Sequence, residues 1–526
     1  MNKKVFLLPI TFILLTSCNQ GPYPFLPFGD QNIKDSLCID DDNDIYYQKK
    51  NHDVLHYPTK DINSLRDVFN DLKNNRPRHN LSTQGKKNLL VLPISFIDSD
   101  KSNLDAKTTL IQNAFFGQEQ TTEYESVASY YYKSSYGQFL LGGEVASWYH
   151  LDIKINDWKN ISTNYTSTSN IIVSRAIDYL KENNLIDFSK YDLDQDGYID
   201  AIYAIYDAPL AENYSSSLYW AYSYSIKEKE FNYNLTAPYA NIYSWSSIEC
   251  LDQGHKKVNT NYLLHETGHL LGLEDYYNTN YYVNSQGLAS DYHYQPTGGF
   301  DMMDYNVGDH NPFSKYLLSW ISPKILKKGI NTKITLKSFN ESGECLLVPA
   351  SDFNNTPYSE YLLLEYFSPT GLNDIDDSFS YYDKYGNKRI FDYPSFHGLR
   401  IYHINARLGY FAKENSSGLI ALADDPKIEE IIKDKNVVIS YAYSNTLLDS
   451  QANNNHPVLC HLLESSGNNT FINGMCASND TLFRRNDDFG ITKFVNYQFS
   501  NNEIIPFTFK VNNVTNKGIT ITVKSK

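Results

Sequence analysis

The chain has 526 residues, 41% of them hydrophobic, with 46 Lys and Arg against 61 Asp and Glu and a formal net charge of −15. That length can bury two or three sizeable cores, while the acidic balance argues against a hold on nucleic acid or on anionic lipid through charge. The 44 tyrosines could stack on carbohydrate or peptide, but a bias toward A/T-rich codons accounts for them without any function.

Lys3 and Lys4 precede an apolar run from Val5 to Leu15. The run is too short to span a bilayer and suits the core of a signal peptide over residues 1–17. Leu15-Thr16-Ser17-Cys18 resembles a bacterial lipobox, in which Cys18 would be diacylated and become the mature N-terminus. An ordinary secretory signal with an incidental cysteine is the alternative. No other apolar run approaches membrane-spanning length, so the lipid would be the sole attachment, at the extracellular face of a bacterial cell membrane, from which the protein could be shed. The remaining cysteines, Cys38, Cys250, Cys345, Cys460 and Cys476, are too sparse for a disulfide framework. Cys460 and Cys476 are close enough in sequence to pair.

Residues 18–60 are polar, with Pro22, Pro24 and Pro27 and the acidic run Asp40-Asp41-Asp42, and read as a flexible tether. Residues 61–87 hold one amphipathic stretch (Leu65, Val68, Phe69, Leu72) ahead of Arg76-Pro77, a propeptide-like helix and linker. From 88 to 325, strands near 88–97 and 198–206 alternate with helices near 104–115, 123–134 and 168–183. This is an α+β pattern, a twisted mixed sheet with helices. Ile242 to Ile248 alternates like a half-exposed strand, either the rim strand that receives an extended peptide or a plain interior one.

Asp192-Leu193-Asp194-Gln195-Asp196-Gly197-Tyr198-Ile199-Asp200 spaces carboxylates at positions 1, 3, 5 and 9, with glycine at 6 and the Tyr198 carbonyl at 7. That is the first part of a calcium loop. Position 12 is Tyr203 rather than glutamate, and a strand follows. The loop therefore binds Ca2+ on a scaffold other than an EF-hand, or else is a solvated acidic turn.

The most informative stretch is His265-Glu266-Thr267-Gly268-His269-Leu270-Leu271-Gly272-Leu273-Glu274-Asp275. Residues four apart share a helix face, so His265 and His269 can turn their imidazoles toward one Zn2+. Glu266, one residue on, can reach a water in the open coordination position without itself being a ligand. Gly272 allows a left-handed exit from the helix, which lets Asp275 fold back as third ligand. Glu274 is one residue off that spacing. No glutamate lies between Asp275 and Asn340, which argues against a third ligand from a downstream helix. Gly298 to Tyr305 then contains Met302-Met303, two of only four methionines in the chain, in the setting of a methionine turn.

After Pro323 the runs Lys333–Lys337, Tyr361–Tyr366, Leu399–Ile404, Val437–Tyr441 and Ile519–Lys524 are β-branched or aromatic and separated by Asn, Gly and Asp. They predict an all-β, sandwich-like C-terminal domain over 326–526. His403 lies in one such strand and reads as a packed residue.

Between Asn88 and Pro323 the sequence resembles the immune inhibitor A family of metallopeptidases, a metzincin-type group. The resemblance rests on Asn88 to Asp98, on Ser126-Val127-Ala128-Ser129-Tyr130-Tyr131 through Ser135-Tyr136-Gly137, on the zinc motif ending in Asp275, and on Phe313 to Ile321. The family's usual glycine before Trp320 is Ser319 here. The resemblance implies a metzincin-like peptidase domain and a zinc endopeptidase acting on extracellular proteins or peptides. Glu266 would be its general base, Met303 a hydrophobic floor, and Tyr305 an assistant to the oxyanion. A surface adhesin built on a relict peptidase fold is the competing class, although Glu266, both histidines and Asp275 are all retained.

Overall fold

The computed structural model describes residues 45–47 and 81–526, apart from 119, 211–217, 227–233, 252–256, 278–295, 376–379, 383–387, 391–393, 408, 413–418, 423–429, 431–436, 441–457 and 474. The signal peptide, Cys18, Cys38, most of the tether and the 61–75 helix lie outside the described residues. Within the expected tether, however, Ile45–Tyr47 forms a strand, β1, belonging to the second sheet below.

Leu89 to Ile94 is an unbroken apolar run, which a strand accommodates only when both its faces are covered. Here it is the centre of β2 (Gly85–Ser95). Helices α1 (Leu104–Phe116) and α2 (Val127–Ser134) follow, then β3 (Phe139–Val145), β4 (Tyr149–His150) and α3 (Tyr165–Glu182). β5 (Ile202–Asp207), β6 (Tyr222–Ser225) and β7 (Ile242–Ser247) complete a sheet of order β3-β2-β5-β7-β6, with β4 also paired to β2. All pairs are parallel except β6 on β7. Of the two readings of Ile242–Ile248, a half-exposed rim strand or an interior one, the structure shows the second. β7 is an interior strand, buried at all six residues, and the antiparallel edge is β6.

Side-chain alternation sends Leu90, Leu92 and Ile94 to one face and Leu89 and Val91 to the other. The first face is covered by α3. Asn164 caps that helix by accepting from Ser167 N at 3.0 Å, and its Ile172, Val173, Ala176, Ile177 and Leu180 recur at helical spacing and are fully buried. Each of the larger ones contributes about 1.5–3 kcal/mol. The second face packs on α1, on α2 and on α4 (Asn261–Leu270), which bears the zinc motif.

After α5 (Pro312–Leu317) the regular elements among the described residues are mostly β-strands. Strands β8 (Lys324–Leu326), β9 (Asn331–Leu336), β10 (Cys345–Pro349), β11 (Glu360–Phe367), the ribbon β12 (Ser380–Tyr382) and β13 (Lys388–Ile390), and β14 (Gly398–Asn405) come first. β15 (Gly409–Ala412), β16 (Leu419–Leu422), β17 (Val437–Ser440), β18 (Cys460–Leu463), β19 (Asp488–Phe489), β20 (Phe507–Thr515) and β21 (Gly518–Ser525) follow. A six-stranded sheet, β1-β8-β10-β11-β14-β18, faces a four-stranded one, β19-β20-β21-β9. Leu346, Leu362, Leu364 and Ile401 meet Phe507, Phe509, Ile519 and Ile521 between them. The molecule is thus mixed α and β with few helices, followed by a β-rich part.

Two features were not expected. β1 pairs with β8 and covers its edge, as exposed strand edges require. The opposite face of the six-stranded sheet, with Leu347, Leu363, Tyr361 and Tyr402, joins the same hydrophobic cluster as the zinc-motif helix. No disulfide joins Cys460 to Cys476; Cys460 is buried and its sulfur accepts from Asn311 Nδ2 at 3.8 Å. His403 is packed as expected, bonded to Glu360 at 2.9 Å and to Tyr497 at 2.8 Å. No helix among the described residues is long and apolar enough to cross a membrane.

Candidate metal centre

α4 is buried at Leu263, Leu264, Gly268 and Leu270 and is fastened from two sides. Thr260 at its start donates to the Glu125 carbonyl at 2.6 Å, and Tyr131 of α2 donates to the Leu264 carbonyl at 2.6 Å. The neighbouring Tyr130 donates to the Gly308 carbonyl at 3.0 Å, so the paired tyrosines of α2 tie together the helix and the chain beneath it. At the C-terminal end Gly272 adopts φ +93°, and Leu273 N returns to the Gly268 carbonyl at 3.0 Å. That left-handed turn carries Asp275 back over the helix face.

The result is a compact donor set. His265 Nε2 lies 3.1 Å and His269 Nε2 3.2 Å from the same Asp275 Oδ1, and the ligand atoms of the three residues all fall within 4.8 Å of one another. Each imidazole has its other nitrogen committed to a backbone carbonyl: His265 Nδ1 to Met302 at 2.9 Å, His269 Nδ1 to Leu273 at 2.9 Å. Those bonds fix the protonated nitrogen as Nδ1 and turn both Nε2 lone pairs inward. Two lone pairs and a carboxylate oxygen in contact repel unless a positive charge, a proton or a metal ion, lies among them. The electrostatics register the same demand. Burial alone disfavours an imidazolium, but Asp275 outweighs it and pushes His269 up to about 10. Burial alone would raise Asp275, yet the two histidines hold its carboxyl well below the usual range. Two imidazole nitrogens and one carboxylate oxygen are the protein donors of a catalytic zinc site, so the residues fit that ion.

Glu266, nearly buried, is not among the three donors. Its Oε2 accepts from Ser223 Oγ of β6 at 2.8 Å, and its backbone carbonyl accepts from Ser244 Oγ of β7 at 3.1 Å. The methionine turn lies below. Asp301 accepts from Met303 N at 2.8 Å and Asn311 N at 2.9 Å, and Asp304 from Gly299 N at 3.1 Å. Burial pushes Asp301 up to about 8 and Asp304 up to about 7. Met303 is fully buried directly under Gly268, where a Cβ would come within 2.4 Å of its sulfur. The Tyr305 ring lies over Gly299, the same distance from where a Cβ there would stand. Tyr277, which sequence reasoning passed over, stacks on the His265 ring at 6.1 Å.

The acidic loop is partly assembled. Asp192, Asp194 and Asp196 place carboxylate oxygens within 4.8 Å of one another, and Asp192 Oδ1 is buried without a hydrogen-bond partner. Gln195 and Gly197 take positive φ, as a tight loop needs. Asp200 is not in that group. Its Oδ2 accepts from Leu193 N at 3.1 Å, and burial raises its carboxyl. Tyr198 bridges to Tyr239.

Ser223 and Ser244 were also missed. A signal for them exists: β6 and β7 alternate aromatic and serine residues, Tyr222-Ser223-Tyr224 and Tyr243-Ser244-Trp245-Ser246. Small side chains on one face of two adjacent strands mark a close approach by another element, here the backbone of α4.

No family model matches this chain, and no curated protein matches it.

Proposed function

We propose that the protein is a zinc-dependent endopeptidase of metzincin type, similar to the immune inhibitor A family. The observation that carries this reading is the pair of inward Nε2 atoms facing one Asp275 oxygen, with a separate carboxylate, Glu266, held beside them. Zinc in that donor set supplies Lewis acidity toward a carbonyl oxygen and makes a neighbouring water acidic near neutral pH. Glu266 accepts the proton of the attacking water and delivers it to the leaving amine. Asp275 and the two histidines would hold the ion, and Met303, fully buried against Gly268, would form an apolar floor beneath it. Tyr305 is proposed to donate toward the developing oxyanion. The antiparallel edge β6 offers a strand to which an extended peptide can add. The acidic loop is proposed as a structural calcium site. Cys18 is proposed as a lipid attachment at the extracellular face of the cell membrane, and intact-mass measurement of the mature chain checks that assignment.

Casein digestion by the full chain tests the enzymatic reading. Cleavage that stops on chelation, returns with zinc and is absent in Glu266→Ala supports it. Equal cleavage by wild type and Glu266→Ala, or folded protein that takes up no zinc, refutes it.

A further inference from the structure

Ser223 lies on the edge strand β6, in contact with the general base assigned above. Its Oγ stands 2.8 Å from Glu266 Oε2, 3.2 Å from the Glu266 carbonyl and 2.8 Å from Ser244 Oγ. A hydroxyl has one proton to donate. Of the three acceptors the carboxylate is the strongest, so the Ser223 proton goes to Oε2. The Ser244 proton then serves the Glu266 carbonyl at 3.1 Å or the Ser223 oxygen. Both serines are therefore oriented by their neighbours, and the chain of bonds runs from β7 through Ser223 to one carboxylate oxygen. On the reverse face of the same strand, Tyr222 donates to Ser169 Oγ of α3 at 2.7 Å. Ser169 in turn meets Tyr243 at 2.6 Å, and Tyr243 donates to Asn170 Oδ1 at 2.7 Å. β6 is thus anchored to α3 on one side and grips the base on the other.

We infer that Ser223 is a positioning residue: its hydroxyl holds Glu266 Oε2 and so fixes the rotamer of the carboxylate, leaving Oε1 to take the proton of the attacking water. The inference rests on the peptidase reading for its catalytic consequence, but not for its geometry. It also gives the edge strand a second role, since the strand proposed to pair with a peptide is the one that holds the base. Movement of β6 would carry the Glu266 carboxylate with it.

The test compares Ser223→Ala and Ser223→Thr in the full, zinc-loaded chain. Threonine suits a strand and keeps the oxygen. Crystal structures of Ser223→Ala are expected to show the Glu266 carboxylate displaced or split between rotamers, with His265, His269 and Asp275 in place and zinc content unchanged. On a peptide released from casein, kcat is expected to fall about ten- to a hundredfold, the range for losing one hydrogen bond to a charged group. KM is expected to hold within about twofold, and Ser223→Thr to recover most of the rate. An unmoved Glu266 in the alanine variant overturns the inference, as does a loss that threonine does not rescue or that falls on KM and zinc content. If wild type and Glu266→Ala alike cleave nothing while Glu266 still shifts in Ser223→Ala, the positioning stands and the peptidase reading fails.

Discussion

Gly268 sets two physical rules against each other. It lies between the two histidines on α4, where replacing glycine by alanine in a helix interior gains about 1 kcal/mol from propensity alone. The space denies that gain. A Cβ at 268 would stand 2.4 Å from Met303 Sδ, 3.2 Å from its Cε and 3.3 Å from the Tyr131 hydroxyl, whereas carbon contacts are comfortable at about 3.5–4.0 Å. The Met303 sulfur must retreat by roughly 1 Å or more inside a fully buried cluster. Overpacking of that kind costs about 1–3 kcal/mol, so Gly268→Ala is expected to destabilise the protein by about 0–2 kcal/mol instead of stabilising it. Met303→Ala alone should cost about 2–5 kcal/mol through the cavity it leaves, a cavity the new methyl group partly fills. The double variant should therefore be less destabilised than the sum of the two, by about 1–3 kcal/mol. Because the Met302 carbonyl orients His265, displacing the turn should also weaken zinc binding by about 10–100-fold. Urea unfolding of the metal-free proteins and competitive zinc titration measure both effects. Additive destabilisation, or a Gly268→Ala variant that gains stability with zinc affinity intact, would refute the reasoning.

Burial pushes Glu365 up to about 7, against the pull of Arg400 and Lys315. From its ordinary 4.5 to about 7 the folded state binds the extra proton, so this stabilisation is complete below pH 4.5 and is lost as pH rises through 7. Glu365→Gln should flatten the melting temperature of metal-free protein across that window, and an unchanged slope counts against the assignment. Calcium at a hundredfold excess over its Kd should stabilise chelator-treated wild type by about 2.7 kcal/mol and leave Asp194→Ala unaffected. Absence of calcium heat in calorimetry, with an unaltered melting point for Asp194→Ala, removes that site. Ser319 sits at φ +59°, where an L side chain costs about 1–2 kcal/mol and glycine returns roughly 0.5–1 kcal/mol in chain entropy. Ser319→Gly is expected to stabilise by about 0.5–1 kcal/mol, and a destabilised variant would contradict it.

What the sequence made legible follows from which interactions are local. The spacing of His265 and His269 is a helix period, and Gly272 is the residue for the turn that follows, so the donor triad could be anticipated as a unit. The strands β2, β5, β11, β14 and β21 and the helices α1 and α3 each carry their own periodicity and start within a few residues of expectation. The order of strands is a different matter. That β7 is interior depends on β6, a four-residue strand whose pairing partner lies 20 residues downstream, and nothing in Ile242–Ile248 itself encodes it. Likewise Ile45-Tyr46-Tyr47 looked like part of a tether because its neighbours are polar and proline-bearing. Its pairing with Lys324–Leu326 is set by an open edge 280 residues away. The grip of Ser223 on Glu266 is long-range in the same sense.

The contribution of the C-terminal β region is settled by hydrogen bonds rather than by its fold. Leu462 N of β18 donates to the Pro296 carbonyl at 2.8 Å, and Ala477 N to the Gly298 carbonyl at 2.7 Å. Both acceptors lie just ahead of the methionine turn. The Arg400 guanidinium of β14 sits 4.5 Å over the Phe300 ring and 3.8 Å over that of Phe367, and Asn373 Oδ1 accepts from Asp309 N at 3.0 Å. The turn that orients His265 through Met302 and underlies Gly268 through Met303 is therefore clamped between α2 and α4 on one side and the six-stranded sheet on the other. A module that merely gathers substrate could be tied on by a linker, and its removal would leave the zinc-motif helix with an intact floor. Here the floor is shared, so the geometry of the donor triad depends on strands up to about 200 residues further along the chain.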